Sequence, residues 1–301
     1  MRIGVAATPD VAIPTLNMLL SSSHEIALVI SQPDRGAGRG HNVRTSPVSS
    51  WAKENDIALL RPESPEELIG FIEDLDCIVV IGYGVLLPEA ILKLPRYGFI
   101  NLHFSILPAY RGAAPVQRAI ENGELVTGVT VFKLDKGMDT GPVYCTSTIS
   151  IDPTWRAHEL FNELAIAAPD VVEAALQAIS LGQLPTPQIG EASRAPKISK
   201  DEARIDWNQS ADIVLRRIRA FYPAPIAWCT WKGESFRVTN AAMHSSTARP
   251  GEISIVDGCA TVGCAGGSAI TLLSVIPSGK KEMSAIDWAR GARLEIGSHF
   301  G

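Results

Sequence analysis

Asn101 and His103 are separated by one residue at the end of an apolar run, Phe99 to Leu102. If that run is a strand, both side chains point to the same face. The loop after the next apolar run contains Asp139. An amide can stabilise an oxyanion, an imidazole can move protons, and a carboxylate can orient the imidazole, which together suit acyl transfer to an amine. The same residues also fit a plainer role as turn formers and caps, above all Asp139, which lies close to Gly141.

The elements expected to position these residues alternate between strands and helices in the first half of the chain. The β-branched run Cys77–Ile81 is typical of a central parallel strand covered on both faces. Residues 155–181 carry apolar side chains at helical spacing. This alternation predicts an α/β fold with a doubly wound, mostly parallel, Rossmann-like sheet. Open sheets of this kind bind ligands at the carboxyl ends of their strands, where Asn101 and His103 are expected.

The pattern changes after residue 182. Residues 183–202 are rich in proline and have little periodicity, which indicates a linker across the surface. Residues 203–301 predict one helix and then five short strands separated by glycine-bearing turns, which favours a small barrel or sandwich. An OB-like β-barrel is one candidate, and that fold often binds oligonucleotides. The predicted domains are therefore residues 1–182, which are catalytic, the linker 183–202, and the C-terminal domain 203–301.

Composition excludes several classes of protein. Of the 301 residues, 46 % are hydrophobic and the net charge is −5, which argues against disorder and against a dedicated nucleic-acid-binding protein. The charge is uneven, because residues 203–301 hold 11 basic and 8 acidic side chains whereas residues 1–202 hold 16 and 24. The first predicted strand is not followed by the GxGxxG fingerprint, and no GxxxxGK[ST] motif occurs, so NAD and ATP are unsupported.

The cellular compartment and metal content follow from the cysteines and from the start of the chain. Five widely spaced cysteines without a CxxC motif predict no metal site and a reducing compartment. A proline and an acidic residue occur within the first ten positions, too early for the apolar core of a signal peptide. We therefore expect a cytoplasmic protein with no membrane segment.

Two runs, Asn101–Gly112 and Gly137–Gly141, resemble the signature of folate-dependent formyltransferases. Residues 32–40, 203–207 and 277–285 are similar to the members of that family that act on methionyl-tRNA. Each motif is short, but their order and spacing together are specific. The resemblance implies that a formyl group passes from 10-formyltetrahydrofolate to the α-amine of methionine on initiator tRNA, without a metal or redox cofactor.

The resemblance also assigns roles to residues by motif position. Asn101, His103 and Asp139 become the catalytic trio. Small residues in the loop after Cys77–Ile81 would let a flat pterin approach the backbone, although an ordinary strand-to-helix connection explains the same glycines. The implied folate contacts are Ser105, Ile106, Leu107, Pro108, Ile81, Gly82, Tyr83, Gly84, Val85 and Leu86.

Two basic regions are implied contacts with tRNA. The segment 32–47 is longer than most strand-to-helix connections, and in the resembled family such a loop wedges into the acceptor end of tRNA. The loop departs from the family pattern at Gly36 and at residues 41–43, which predicts a looser grip on RNA. The second region is the C-terminal barrel, although its helix arginines could equally form a solvated face. The implied tRNA contacts are Arg35, Arg39, Arg44, Arg216, Arg217, Lys280 and Lys281.

Other functions remain open at this point. A formyltransferase acting on a small molecule such as a nucleotide sugar, or a hydrolase of 10-formyltetrahydrofolate, would share the same trio. The basic loop and the additional barrel favour tRNA over these. A non-catalytic tRNA-binding module is the third alternative, and the intact trio argues against it. No coiled-coil pattern or apolar stripe demands association, so we expect a monomer.

Overall fold

The computed structural model describes residues 1–36 and 43–301, with residues 35, 36, 43 and 44 described by their backbone only. The strands are β1 (Arg2–Ala7), β2 (Glu25–Ile30), β3 (Arg35–Gly36), β4 (Val43–Arg44), β5 (Leu59–Leu60), β6 (Cys77–Ile81), β7 (Phe99–His103), β8 (Val126–Lys133), β9 (Val143–Ser150), β10 (Ala227–Trp231), β11 (Glu234–His244), β12 (Ile253–Val256), β13 (Cys259–Cys264), β14 (Ser268–Pro277) and β15 (Met283–Ser284). The helices are α1 (Ile13–Ser21), α2 (Pro47–Glu54), α3 (Glu89–Leu92), α4 (Pro115–Asn122), α5 (Ala157–Ser180), α6 (Ala211–Ala220) and α7 (Ala285–Ala292). None of these described helices is both long and apolar enough to cross a membrane.

The first compact unit comprises residues 1–113, 126–150 and 161–195 and is built on a seven-stranded sheet. The strand order is β5-β2-β1-β6-β7-β8-β9, parallel as far as β7 and antiparallel at β8 and β9. Every residue of β6 is buried, as expected of a strand covered on both faces. This confirms the prediction of a mostly parallel α/β sheet. The carboxyl ends of β6 and β7 are neighbours, so the loops after them are expected to share a ligand site.

The second unit comprises residues 114–125, 151–160 and 196–301. Its antiparallel sheet has the order β10-β11-β14-β13-β12, with β15 paired to β14, which confirms the predicted β-rich C-terminal domain. Residues 298–301 lie between the two ends of this order. Ile253 N donates to the Ser298 carbonyl at 2.8 Å, while Thr230 and Gly301 exchange two backbone hydrogen bonds of 2.9 and 3.0 Å. This segment therefore connects β12 to β10 and completes a barrel-like ring of hydrogen bonds.

An aromatic cluster forms the core of this second unit around Phe300, which is 1 % exposed. Its ring stacks on Trp207 and on Trp288, each with centroids 5.7 Å apart. Phe236 and Trp231 complete the cluster at 4.9 and 5.8 Å from the Phe300 ring. The residue that packs this core therefore belongs to the same short segment that closes the ring of strands.

We expect Phe300→Ala to lower the free energy of unfolding by about 3–5 kcal/mol, because it removes a fully buried aromatic ring from a packed cluster. Urea denaturation followed by tryptophan fluorescence measures this, since Trp207 and Trp288 contact the deleted ring. Leu273→Ala is the control, because Leu273 is 45 % exposed on β14. Equal losses for the two variants would contradict the assignment of Phe300 to the core.

Helix α4 belongs to the second unit although its sequence lies between β7 and β8 of the first. The helix begins at Pro115, which suits a first-turn position, and ends at Asn122, followed by Gly123, whose φ of +75° is favourable for glycine. It is tied to α6 by the ion pair between Glu121 and Arg217, whose N and O atoms are 2.8 Å apart. The second unit is therefore assembled from segments far apart in the chain.

Candidate active site

His103 ends strand β7 and is 5 % exposed. Its Nε2 lies 2.9 Å from the carbonyl oxygen of Tyr110, and its Nδ1 lies 3.7 Å from Oδ2 of Asp139. Because a carbonyl can only accept, Nε2 carries the hydrogen of the neutral ring and Nδ1 presents its lone pair toward the carboxylate. Burial lowers the pKa of His103, opposed by the charge of Asp139 and by the Tyr110 carbonyl. The ring is therefore suited to accept a proton at Nδ1, beside a carboxylate that would stabilise the resulting cation.

Asp139 lies in the loop after β8. Its φ of +55° falls in the left-handed region, which aspartate tolerates in tight turns. Its Oδ2 accepts a hydrogen bond of 2.7 Å from the backbone N of Gly112. A Cβ at Gly112 would lie 2.6 Å from the carbonyl oxygen of Ala195, and φ there is +127°, so glycine is required at this close approach. The carboxylate is thus held by the backbone of the His103 loop rather than by the imidazole itself.

Asn101 lies two residues before His103 on the same strand and therefore on the same face of the sheet. It is half-buried, and within the described part of the chain its side-chain amide makes no hydrogen bond. The amide is therefore available to a ligand at the carboxyl end of β7. The structure brings His103 and Asp139 together beside this strand end, and the catalytic roles of the three residues stay a prediction.

The segment Ser105–Pro108, predicted to contact folate, is fixed mainly by its own turn. Ser105 is fully buried, and its Oγ donates to the carbonyl of Ala109 at 2.6 Å. Thr130 Oγ1 on β8 donates to the Ser105 carbonyl at 2.7 Å and accepts from Leu107 N at 3.2 Å. Leu107 and Pro108 are buried and Ile106 is half-buried, so Ile106 has the most surface available for a ligand in this segment.

The second predicted folate segment, Ile81–Leu86, leaves the carboxyl end of β6. Gly82 and Gly84 have φ of +57° and +73°, and a Cβ at Gly82 would lie 2.8 Å from Pro9 Cγ. The positive φ values and the close approach of Pro9 are therefore sufficient to explain glycine at these positions, with or without a bound pterin. Tyr83 is buried, with its carbonyl held by the side chain of Gln32 at 2.6 Å. Val85 and Leu86 are 37 % and 77 % exposed, so the loop presents apolar side chains to solvent.

The predicted tRNA contacts fall into three groups. Arg39 lies outside the described residues, and Arg35 pairs with Arg44 in the β3–β4 ladder by backbone only. Arg216 and Arg217 have protein partners: Arg216 pairs with Asp212 at 2.8 Å and donates to the Asn122 carbonyl at 3.0 Å, and Arg217 pairs with Glu121. Lys280 and Lys281 are exposed, and no ion pair of either is recorded among the described residues. The two lysines are thus the better placed to meet a polyanion.

Sequence reasoning missed the support of the site by residues 186–195, which it treated as a linker. Thr186 and Val143 exchange backbone hydrogen bonds of 2.7 and 2.8 Å. Arg111 N donates to the Ser193 carbonyl at 2.9 Å, and Ala195 N donates to the Arg111 carbonyl at 2.7 Å. These are mostly backbone contacts between distant segments, which no pattern of side-chain types reveals. Among the described residues, no group of three or more His, Cys, Asp or Glu side chains is arranged to hold a metal ion.

Comparisons with known proteins agree with this fold. Residues 1–176 match the model of the family described as formyl transferase, and residues 197–293 match the formyl transferase C-terminal domain. The chain is 44 % identical to a methionyl-tRNA formyltransferase of Nocardioides sp., covering 100 % of this chain and 98 % of that protein. The two domain matches define an enzyme of the formyl transferase class. The chain belongs to the methionyl-tRNA formyltransferase family.

Two solved structures share the fold at lower identity. The methionyl-tRNA formyltransferase of Clostridium thermocellum is 18 % identical with a TM-score of 0.58, over 81 % of this chain and 94 % of that one. HypX from Aquifex aeolicus, solved in complex with tetrahydrofolic acid, is 20 % identical with a TM-score of 0.67, over 96 % of this chain and 46 % of that one. Both likenesses concern the fold alone.

Proposed function

We propose that this enzyme transfers the formyl group of 10-formyltetrahydrofolate to the α-amine of methionyl-tRNA. One observation carries the proposal: buried His103 lies 3.7 Å from half-buried Asp139, on the same strand and face as Asn101, whose side-chain amide has no hydrogen-bond partner among the described residues. The full-length similarity to a methionyl-tRNA formyltransferase supports the choice of substrates. The folate bound to HypX supports the formyl donor. The enzyme is further proposed to act as a cytoplasmic monomer.

The proposed chemistry assigns one task to each group. The lone pair of the methionyl amine forms a bond to the formyl carbon, and the π pair of the C=O moves to its oxygen. The Asn101 amide donates a hydrogen bond to that oxygen, which carries the developing charge. Nδ1 of His103 accepts the proton released by the attacking nitrogen, and the Asp139 carboxylate stabilises the imidazolium.

Collapse of the intermediate completes the balance. The bond between the formyl carbon and the folate nitrogen breaks, and its electron pair goes to that nitrogen. The proton on His103 Nδ1 moves to the same nitrogen, which gives tetrahydrofolate and the formylated amine. His103 and Asp139 then return to their starting protonation state, so no external acid or base is consumed.

Binding of tRNA is proposed to use cations of the second unit that pair with no acidic side chain in the described part of the chain. Lys280 and Lys281 follow a turn that borders a cleft of about 360 Å³. Lys200, Arg237 and the Trp228 ring line this cleft. Exposed lysines and an aromatic face suit phosphates and unpaired bases. Arg216 and Arg217 are proposed to act on RNA only indirectly, because their charges are already paired within the protein.

We expect Lys280→Ala/Lys281→Ala to weaken tRNA binding and to reduce the slope of log Kd against log salt by roughly one for each lost phosphate contact. Fluorescence anisotropy with labelled methionyl-tRNA across a salt series measures both. Lys93→Ala is the matched control, because Lys93 is exposed in the first unit but already pairs with Glu89 at 2.6 Å. If the double variant kept the wild-type salt slope, Lys280 and Lys281 would not contact the phosphates of tRNA.

The function is tested by supplying the enzyme with 10-formyltetrahydrofolate and three acceptors separately: methionyl-tRNA, free methionine and a nucleotide amino sugar. Formylated methionyl-tRNA, detected after deacylation by mass spectrometry, is the expected product. Formylation of the sugar alone would assign the chain to a small-molecule branch. Release of formate without an acceptor product would identify a hydrolase, and absence of any turnover would leave an RNA-binding module.

A further inference from the structure

Gln188 connects the loop that follows His103 to the loop that contains Asp139. Its side-chain Nε2 donates to the carbonyl of Asp139 at 2.9 Å and to the carbonyl of Gly141 at 2.8 Å. Its Oε1 accepts from Arg111, at 2.6 Å from Nη2 and 3.2 Å from Nε. All four hydrogen bonds lie within the first unit, and the side chain is half-buried. The Gln188 amide therefore donates to the loop that contains Asp139 and accepts from Arg111 in the loop after β7, so that it links the two loops.

Arg111 is directly joined to the residues that hold His103 and Asp139. It lies between Tyr110, whose carbonyl accepts from His103 Nε2, and Gly112, whose N donates to Asp139 Oδ2. The backbone of Arg111 is paired on both sides, with Ser193 and Ala195. Movement of Arg111 would therefore shift both anchors of the catalytic pair at once.

We propose that Gln188 and Arg111 are positioning residues that fix the Asp139 loop against the His103 loop and so set the distance between His103 Nδ1 and Asp139 Oδ2. The proposal rests on the proposed function for its kinetic consequence only. That distance, 3.7 Å, determines how strongly the carboxylate attracts a proton on the ring. It also places the proton acceptor relative to the substrate nitrogen, where small displacements are costly.

The groups around the His103 ring allow a spectroscopic test. Among the described residues, Asp139 supplies the charge acting on the ring, Tyr110 supplies the carbonyl, and Phe132 on β8 presents an aromatic neighbour with centroids 6.4 Å apart. Asp139 raises the pKa of His103 against the effect of burial. If the bridge is cut and Asp139 recedes, this opposing effect weakens, so the pKa of His103 falls further.

We expect Gln188→Met, which preserves the length of the side chain but removes its hydrogen bonds, to lower kcat by about 10- to 100-fold with little change in KM. The pKa of His103, measured by NMR titration, should fall in the same variant. Gln183→Met is the matched control, because Gln183 is exposed a few residues earlier and makes no recorded side-chain hydrogen bond among the described residues. Arg111→Met should match Gln188→Met, and the double variant should be no worse than the more damaging single one, because the two side chains act as a unit.

Arg111→Lys retains a donor toward Gln188 and should recover part of the lost kcat. Should Gln188→Met fail to fold, Gln188→Leu also removes the donor to the Asp139 loop and the acceptor for Arg111 without adding a charge, and the same fall in kcat and in the pKa of His103 is expected. The proposal is overturned if kcat and the pKa of His103 both equal those of the wild type. It is also overturned if only Tm falls, which would mean a merely structural bridge. A wild type that cannot formylate methionyl-tRNA refutes the proposed function instead, and the NMR titration still decides the positioning role.

Discussion

Asn101→Ala is expected to lower kcat for formyl transfer by about 100- to 1,000-fold, equivalent to roughly 2.7–4 kcal/mol of lost transition-state stabilisation. The amide lies at the carboxyl end of β7 on the same face as His103, and its side chain is half-buried. The substitution removes the hydrogen bond from the Asn101 amide to the formyl oxygen. That hydrogen bond matters most in the transition state, because negative charge develops on this oxygen there. Single-turnover kinetics with saturating methionyl-tRNA and 10-formyltetrahydrofolate separate this effect from product release.

Binding of both substrates to Asn101→Ala should stay near the wild-type level, because the lost interaction belongs to the transition state. Asn101→Leu is a stricter variant, since it nearly keeps the shape and removes the N–H donor without adding a charge. Asn208→Ala, an exposed position in the second unit, is the control for general effects of the substitution. Near-normal turnover by Asn101→Ala would remove this residue from the mechanism.

The second large effect is expected for Asp139→Asn, which should reduce kcat by about 10²- to 10⁴-fold, the range typical of a lost general acid–base group. The new amide oxygen can still accept from Gly112 N, so the loop keeps its shape. What disappears is the charge that stabilises a proton on His103 Nδ1, 3.7 Å away. The pKa of His103 is therefore expected to fall, since burial would then act on the ring without its main opposing influence.

The measurement is the pH profile of kcat for Asp139→Asn, together with an NMR titration of His103. The limb of the profile that reports His103 should move to lower pH. Asp135→Asn is the matched control, because Asp135 lies in the same loop, is exposed, and accepts from Gly137 N and Thr140 Oγ1. A profile for Asp139→Asn that keeps both the wild-type rate and the wild-type limb would show that the carboxylate has no part in proton transfer.

The fold could be predicted where local pattern and tertiary environment agree. The buried run of β6, Cys77–Ile81, has only one satisfactory environment, the interior of a parallel sheet. The long helix was predicted over 155–181 and lies at Ala157–Ser180, because periodicity and length both favour it. The pairing of residues 298–301 with β10 and β12 depends on backbone hydrogen bonds across long sequence distances, and side-chain types carry little information about these.

The proximity of the candidate site residues could be predicted from the sequence, but the contacts that support them could not. Asn101 and His103 share a face by strand geometry alone, which the sequence shows directly. The backbone carbonyl of Tyr110 fixes the hydrogen of His103 on Nε2. Because every residue has a backbone carbonyl, the residue type at position 110 does not reveal this contact. The role of Gln188 could not be predicted from the sequence, because its segment has no periodicity. The role follows only from its contacts with Arg111 and the Asp139 loop.

The position of α4 limits how this chain can be divided experimentally. A fragment starting at residue 203 would separate α6 from α4 and Arg217 from Glu121. Arg217 would then lack its ion pair with Glu121, and its exposed charge would bind RNA in a way that the intact enzyme does not. Exchange of C-terminal segments between homologues meets the same obstacle, because a transplanted α6 must match a helix encoded far upstream in the recipient. Co-inheritance of the two helices is therefore a requirement for any functional chimera.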